Sequence, residues 1–384
     1  MVLALRNAEV FDGDEIVGRR TVLIDAGRIS SILASDAALP DGAEIEDLNG
    51  HLLVPGFVDV QVNGGGGVMF NNDRTVEGLR TIVEGHRRFG TTTLMPTLIT
   101  DTPAIMREAA DAMRAAIAQR LPGVRGIHFE GPCLSPERKG VHRPDYFLPY
   151  GAELEEIYNA PGMGKVMVTL APERVEPTAI SSLAGHGVLV CAGHTAASYE
   201  QIGTGLKAGL RGFTHLFNAM SPMNSREPGV VGAALDDAET WCGMIVDGYH
   251  VHDATARVAV HAKARGKIML VTDAMGTVGA ADKSFTLYGT EIVASNGRCA
   301  TRDGTLAGSD LDMMSAVRNT HRRLGLPLVE ALRMASLYPA EFLGLSDRIG
   351  RIAPGHDADL ALVDQETLQV RRTWIGGSGQ DAVA

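Results

Sequence analysis

The chain has 384 residues, 45% hydrophobic and 21% charged, the balance of a globular protein able to bury a large core. Its formal net charge is −11 and its basic residues are scattered, so no surface for a nucleic-acid backbone is expected and any anionic ligand needs a local basic site. Cys133, Cys191, Cys242 and Cys299 are far apart and form no CxxC pair, which argues against a zinc ribbon or a disulfide framework and fits a reducing cytoplasm.

The opening MVLALRNAEVFDGDE turns polar too early for a secretory signal, and no apolar run approaches the roughly 20 residues that span a bilayer. A membrane partner is therefore not expected. Residues 1–54 read as short strands, apolar runs separated by Gly, Asp and Asn turns, and RIGRIAPGHDADLALVD near the other end has the same texture. The expectation is a small discontinuous β domain, 1–54 with 350–384, built from both chain ends.

Between them, in 55–349, strands alternate with helices. Strand candidates end at DVQVN, TTTLMPT, GIHFE, KVMVTLAPE, VLVCAGH, GFTH, GMIVDGYH and IMLVTDA, with amphipathic segments such as RTVEGLRTIVEGHRRFG and DATARVAVHAKARG between many of them. Such alternation implies a parallel sheet, and eight units allow it to close into a (β/α)8 TIM barrel, an α/β fold. Beyond VTDAM, the alternation and the NG and DG pairs of KSFTLYGTEIVASNGRCATRDG predict an inserted hairpin.

Most of these strands end on groups that coordinate metals or move protons: Gln61 and Asn63, Glu130, His194, His215, Asp247 with His250, and Asp273. Any one of them alone is more often a hydrogen-bonded structural residue. Barrel strands, however, present their C-terminal ends to one mouth, which collects such residues from distant parts of the chain. Two imidazoles and a carboxylate, His194, His215 and Glu130, have the chemistry of a catalytic zinc-type site with a position left for water. Asp273 can then carry a proton from that water to a leaving group, or else serve as a helix cap or loop acceptor. In PGFVDVQVNGGGG, strand alternation puts Asp59, Gln61 and Asn63 on one face. Its four glycines match neither GxGxxG nor the Walker pattern and read as a close-packed turn beneath the mouth.

The blocks PGFVDVQVNGGGG, HFEGPCLSPERKGVH, AGHTA, THLFNAM, REPG, DGYHV, VTDAM and TLAGSDLDM, in this order, resemble the N-acetylglucosamine-6-phosphate deacetylase family of the amidohydrolase superfamily. The resemblance implies a metal site from Glu130, His194 and His215, Asp273 as acid/base, a β-sandwich from the chain ends, and a homodimer. It further implies that His142 polarises the acetyl carbonyl. Arg226, reaching the neighbouring subunit's site, and His250 would grip the sugar phosphate, helped by Asn218 and Ala219.

Where many amidohydrolases end their first strand in His-x-His and hold a second metal, this chain has Gln61 and Asn63. Neutral amides are poor ligands for such ions, so one divalent ion per subunit is expected, zinc first, with iron, manganese or cobalt as alternatives. Cys133 lies on the loop between Glu130 and His142, where a thiol could modulate loop closure or simply pack. His51, His86, His128, His186, His252, His261, His321 and His356 earn no catalytic role from position, His128 being the closest to one because it shares a strand face with Glu130. The rival expectations are a cyclic amidase or a deaminase on the same barrel, and a sugar-phosphate sensor without catalysis.

Overall fold

The structure, a computed structural model, describes residues 2–302 and 304–382. By its contacts the chain divides into two compact units, Met1–Asp59 with His86–Thr93 and Asp312–Ala384, and Val60–Gly85 with Leu94–Leu311. This division differs from the boundaries read from sequence texture: the helices Met313–Arg322, Leu328–Ala335 and Leu337–Leu343 group with the chain ends.

In the first unit, strands from both ends of the chain join one eight-stranded mixed sheet. Leu360–Val363 pairs antiparallel with Leu52–Pro55, which runs parallel to Leu3–Phe11, so this sheet forms only when the two ends of the chain meet. Leu5, Val10, Val22, Ile29, Leu53, Leu360 and Trp374 share one core, each buried to 1% exposure or less. Residues from strands far apart in the sheet order thus face one another, the arrangement of a sandwich.

The second unit holds the C-terminal parts of the first two, and all of the other six, of eight parallel strands. They are β1 Phe57–Val62, β2 Thr91–Ile99, β3 Gly126–Glu130, β4 Lys165–Leu170, β5 Leu189–Ala192, β6 Gly212–Phe213, β7 Trp241–Met244 and β8 Ile268–Leu270. Each is hydrogen-bonded to the next in chain order. All eight are the strands read from sequence. The barrel closes just beyond the regular ladder, where the Asp273 amide donates to the Gln61 carbonyl at 3.0 Å and the Asn63 amide to the Ala274 carbonyl at 2.8 Å.

The four glycines are a turn, and its tightness explains their number. Gly64–Gly65 pairs with Val68–Met69 through Gly66 and Gly67, whose φ values of 62° and 92° are those a side chain disfavours. A Cβ on Gly64 would lie 2.3 Å from the Val68 carbonyl oxygen and 2.8 Å from the Gly276 nitrogen. This turn therefore packs backbone to backbone against the segment that follows β8.

The insertion is larger than the predicted hairpin. Ser284–Leu287, Thr290–Ser295, Arg298–Ala300 and Leu306–Ser309 make a four-stranded antiparallel sheet. Its first two turns, Tyr288–Gly289 and Asn296–Gly297, both have positive φ at each residue, the primed geometry that suits hairpin twist. Leu287, Ile292 and Cys299 of this sheet pack with Met69, Ile99 and Met275 from the barrel mouth.

Candidate active site

The polar strand ends converge as barrel topology requires. Glu130 is the last residue of β3, while His194, His215 and Asp273 follow β5, β6 and β8 by two, two and three residues. The backbone at these last three is left-handed, with φ of 48°, 35° and 52°. For residues carrying a Cβ this costs about 1–2 kcal/mol each and persists only where the surroundings enforce it. Its effect is to end each strand abruptly, with a polar side chain lining the barrel cavity.

Glu130, His194 and His215 are 2–6% exposed, and among the described residues they form the one group with metal-binding donors gathered together. Glu130 Oε1 lies 3.0 Å from His215 Nε2 and 3.3 Å from His194 Nε2, and the two ring nitrogens are 3.1 Å apart. Ion–ligand bonds of about 2.0–2.1 Å put the corners of a tetrahedral site about 3.3 Å apart, so these atoms fit three corners of one. The tautomer fits as well. His194 Nδ1 meets the Arg138 carbonyl at 2.8 Å, and a carbonyl can only accept, so Nδ1 carries the hydrogen and Nε2 keeps its lone pair. Burial pushes the Glu130 carboxyl up, but the adjoining rings of His194 and His215 outweigh it and hold the group well below its usual range. The Glu130 carboxylate is therefore ionised and ready to ligate.

Asp273 stands beside this trio. Asn63 Nδ2 donates to its Oδ1 at 2.6 Å and Gln61 Nε2 at 3.2 Å, and the same Gln61 amide donates to Glu130 Oε1 at 3.2 Å. The two amides thus present N–H groups to carboxylates. Burial, reinforced by the negative charge of Glu130, raises the Asp273 carboxyl to about 6. A carboxylate so raised is a better base near neutrality than a free one. Its backbone is pinned on both sides: Ser309 N donates to the Asp273 carbonyl at 2.9 Å, and a Cβ on Gly308 would come within 2.8 Å of that oxygen.

A cavity of about 290 Å³ brings together Asn63, Glu130, His142, His194, His215, Asn218, Ala219, His250 and Asp273. His142 is 3% exposed, and burial, together with nearby His194, lowers its pKa well below the usual value, leaving a neutral ring. His250 Nδ1 pairs with Asp247 Oδ2 at 2.6 Å, and the same carboxylate receives the backbone N–H groups of Tyr249 and His250. Asp247 is thus the residue that orients His250. Arg226 lies on an exposed loop and is absent from the lining of this single-chain cavity.

Cys133 is buried, and burial pushes its thiol up to about 12, so it is protonated and unsuited to thiolate chemistry. His51, His86, His186, His252, His261, His321 and His356 do not line the cavity. His128 sits one layer below the trio. Its Nε2 is 2.8 Å from Thr169 Oγ1, its Nδ1 is 3.2 Å from Thr97 Oγ1, and Thr169 continues to Thr214 at 2.6 Å. Burial brings the His128 pKa down to about 4, so it is a neutral member of this hydroxyl layer.

These threonines, and Thr100 beside His142, escaped sequence reasoning because threonine is an ordinary strand former and carries no motif signal. The available signal was only their spacing below or beside the strand-end ligands.

Comparison with known proteins follows the same lines. The Amidohydrolase family model matches residues 52–379. An N-acetylgalactosamine-6-phosphate deacetylase from Shewanella sp. (strain ANA-3) is 44% identical, over 85% of this chain and 82% of that protein. An N-acetylglucosamine-6-phosphate deacetylase from Haemophilus influenzae is 36% identical, over 99% of this chain and 100% of that one. The crystal structure of the N-acetylglucosamine-6-phosphate deacetylase from Pasteurella multocida superposes with a TM-score of 0.95 at 34% identity, covering 99% of this chain and 100% of that one. A mutant of the Mycobacterium smegmatis enzyme in complex with N-acetyl-D-glucosamine-6-phosphate gives 0.89 at 35%, covering 99% and 98%. With its barrel, its Glu-His-His trio and these relatives along nearly its whole length, the chain belongs to the amidohydrolase family, in the group of the N-acetylhexosamine-6-phosphate deacetylases.

Proposed function

We propose that this chain hydrolyses the acetamide of N-acetyl-D-glucosamine 6-phosphate, releasing acetate and D-glucosamine 6-phosphate in amino-sugar catabolism. The observation that carries the reading is the convergence of three buried ligand atoms with a separate carboxylate in one cavity. A divalent ion held by Glu130, His194 and His215 would supply Lewis acidity, activating a water and polarising the acetyl carbonyl. Asp273 accepts the proton of the attacking water and returns it to the sugar nitrogen, which would otherwise leave as a strongly basic amide anion. His142 donates to the carbonyl oxygen as negative charge develops there. One ion per chain is the stoichiometry that amide side chains at Gln61 and Asn63 favour, with zinc ahead of iron, manganese and cobalt.

The sugar phosphate calls for a cationic clamp in a chain of net charge −11. We assign it to His250, Asn218 and Ala219 at the cavity and to Arg226 of a second subunit in a homodimer. Exposure of Arg226 on its loop and its absence from the single-chain cavity support that assignment. No helix among the described residues is long and apolar enough to cross a membrane, and the proposed compartment is the cytoplasm.

The 44% identity to a galactosamine-type enzyme favours a second reading, in which the 4-epimer is the better substrate. Acetate release from both N-acetylhexosamine 6-phosphates, with dihydroorotate and adenosine as controls, decides between them on protein stripped of metal and refilled with each ion. Absence of acetate release from either sugar phosphate, or turnover of the controls instead, overturns the reading.

A further inference from the structure

Arg226 sits on the exposed loop 222–228, and the hydrogen bonds of that loop hold it to one shape. Asn224 N donates to the Glu227 carbonyl at 3.0 Å and closes the chain behind Ser225 and Arg226. At the near foot, Ser221 Oγ donates to the Ala197 carbonyl at 2.7 Å and accepts from Val230 N at 2.9 Å. At the far foot, Glu227 Oε1 accepts from Tyr199 N and from Gly229 N, each at 2.9 Å. Gly229 has a φ of +58°, and a Cβ there would lie 2.8 Å from the Pro222 carbonyl oxygen and 2.9 Å from that of Ser221. The two feet therefore meet backbone to backbone.

Tyr199 is the first residue of the helix Tyr199–Ala208, whose N-cap Ser198 already accepts from Gln201 N. The first four N–H groups of a helix lack partners within it, and Glu227 takes one of them from outside, where the helix dipole favours a negative charge. Its carboxylate is thus turned to backbone donors rather than to the neighbouring side chain. The Arg226 guanidinium makes no hydrogen bond or ion pair among the described residues. A cation carried on a loop already fixed in place has less freedom to lose when it meets a phosphate.

We propose that Glu227 is a positioning residue for phosphate recognition: it fastens the loop to the helix Tyr199–Ala208 so that the unpaired Arg226 of one subunit projects into the site of the other. The inference rests on the clamp across subunits assigned to Arg226 above. Glu227 then acts on the substrate held by its neighbour, not on the one held by its own chain.

The test uses single variants and hybrid dimers, the latter made by co-expressing two differently tagged chains, all refilled with zinc. Glu227→Ala should raise KM for N-acetyl-D-glucosamine 6-phosphate and lower the kcat/KM preference for it over unphosphorylated N-acetylglucosamine by about 3- to 30-fold, part of what losing the Arg226 clamp costs. Glu227→Gln, whose amide oxygen can still accept both N–H groups, should stay near wild type. Tyr199→Pro removes one of the two donors while suiting the first position of a helix, and should lower the preference in the same direction. In a hybrid of Glu227→Ala with Asp273→Asn, the site that keeps Asp273 receives Arg226 from the chain with Glu227 intact, so it should show the wild-type KM. A hybrid of Arg226→Ala with Asp273→Asn should do the same. An unchanged preference in both Glu227→Ala and Tyr199→Pro overturns the proposal, as does a raised KM that persists in the Glu227 hybrid while the Arg226 hybrid recovers. Recovery in neither hybrid means that no arginine is supplied across subunits, and overturns the clamp reading together with the proposal.

Discussion

Replacing Asp273 by Asn isolates proton transfer from everything else the site does. The carboxamide has nearly the same shape, and its oxygen can still accept from Asn63 Nδ2 and Gln61 Nε2, now at 2.6 and 3.2 Å from Oδ1, so the local structure has reason to stay in place. Two charge-assisted hydrogen bonds become neutral ones at roughly 1 kcal/mol each, partly offset by relief of repulsion with the Glu130 carboxylate that helps raise Asp273 to about 6. The ligand atoms of Glu130, His194 and His215 are a separate set, so metal content should remain at one equivalent. What disappears is the general base and acid, a contribution of about 10²- to 10⁴-fold, equivalent to about 3–5 kcal/mol of barrier. The assay is steady-state acetate release from N-acetyl-D-glucosamine 6-phosphate, with metal measured by elemental analysis on the same sample. A variant that keeps its metal and turns over within tenfold of wild type would refute the assignment of the proton carrier.

The remaining predictions address metal, phosphate and backbone. His215→Asn should bind well below one equivalent of zinc after dialysis while remaining folded by circular dichroism, because one of three corners is lost; full occupancy would show that the trio is not the site. Arg226→Ala should raise KM for the phosphorylated sugar by about 10- to 100-fold, the loss of a charge-assisted clamp, and leave hydrolysis of unphosphorylated N-acetylglucosamine unchanged. Equal effects on both substrates would remove Arg226 from the clamp. Gly64→Ala places a Cβ 2.3 Å from the Val68 carbonyl oxygen, so the hairpin must open. Urea unfolding should show a loss of about 1–3 kcal/mol, and an unchanged midpoint would mean the turn is less tightly packed than described.

Much of this was legible in the sequence because barrel topology converts strand order into spatial proximity. Once GIHFE, VLVCAGH, GFTH and IMLVTDA are read as strands, their polar termini must share a mouth, and Glu130, His194, His215 and Asp273 do. What the pattern could not carry is conformation at single residues. Nothing about His194, His215 or Asp273 announces a left-handed backbone, which tertiary packing imposes against local preference. In sequence the insertion resembles one hairpin because only its NG and DG pairs look like turns, whereas Tyr288–Gly289 also turns with positive φ and the strands Arg298–Ala300 and Leu306–Ser309 are too short to show alternation. The hydroxyl layer around His128 was invisible for a related reason: Thr97, Thr169 and Thr214 look like common strand residues until their side chains are seen to meet.

The join between the first and last staves has a consequence for how the molecule can tolerate motion. A cylinder of strands must be joined where its ends meet, and here backbone bonds make the join, the amide of Asp273 supplying one of them. The seam that closes the wall is therefore also the mounting of Asp273. Loosening it by heat or denaturant should silence turnover before the rest of the wall gives way, making activity a more sensitive gauge of barrel integrity than any global signal.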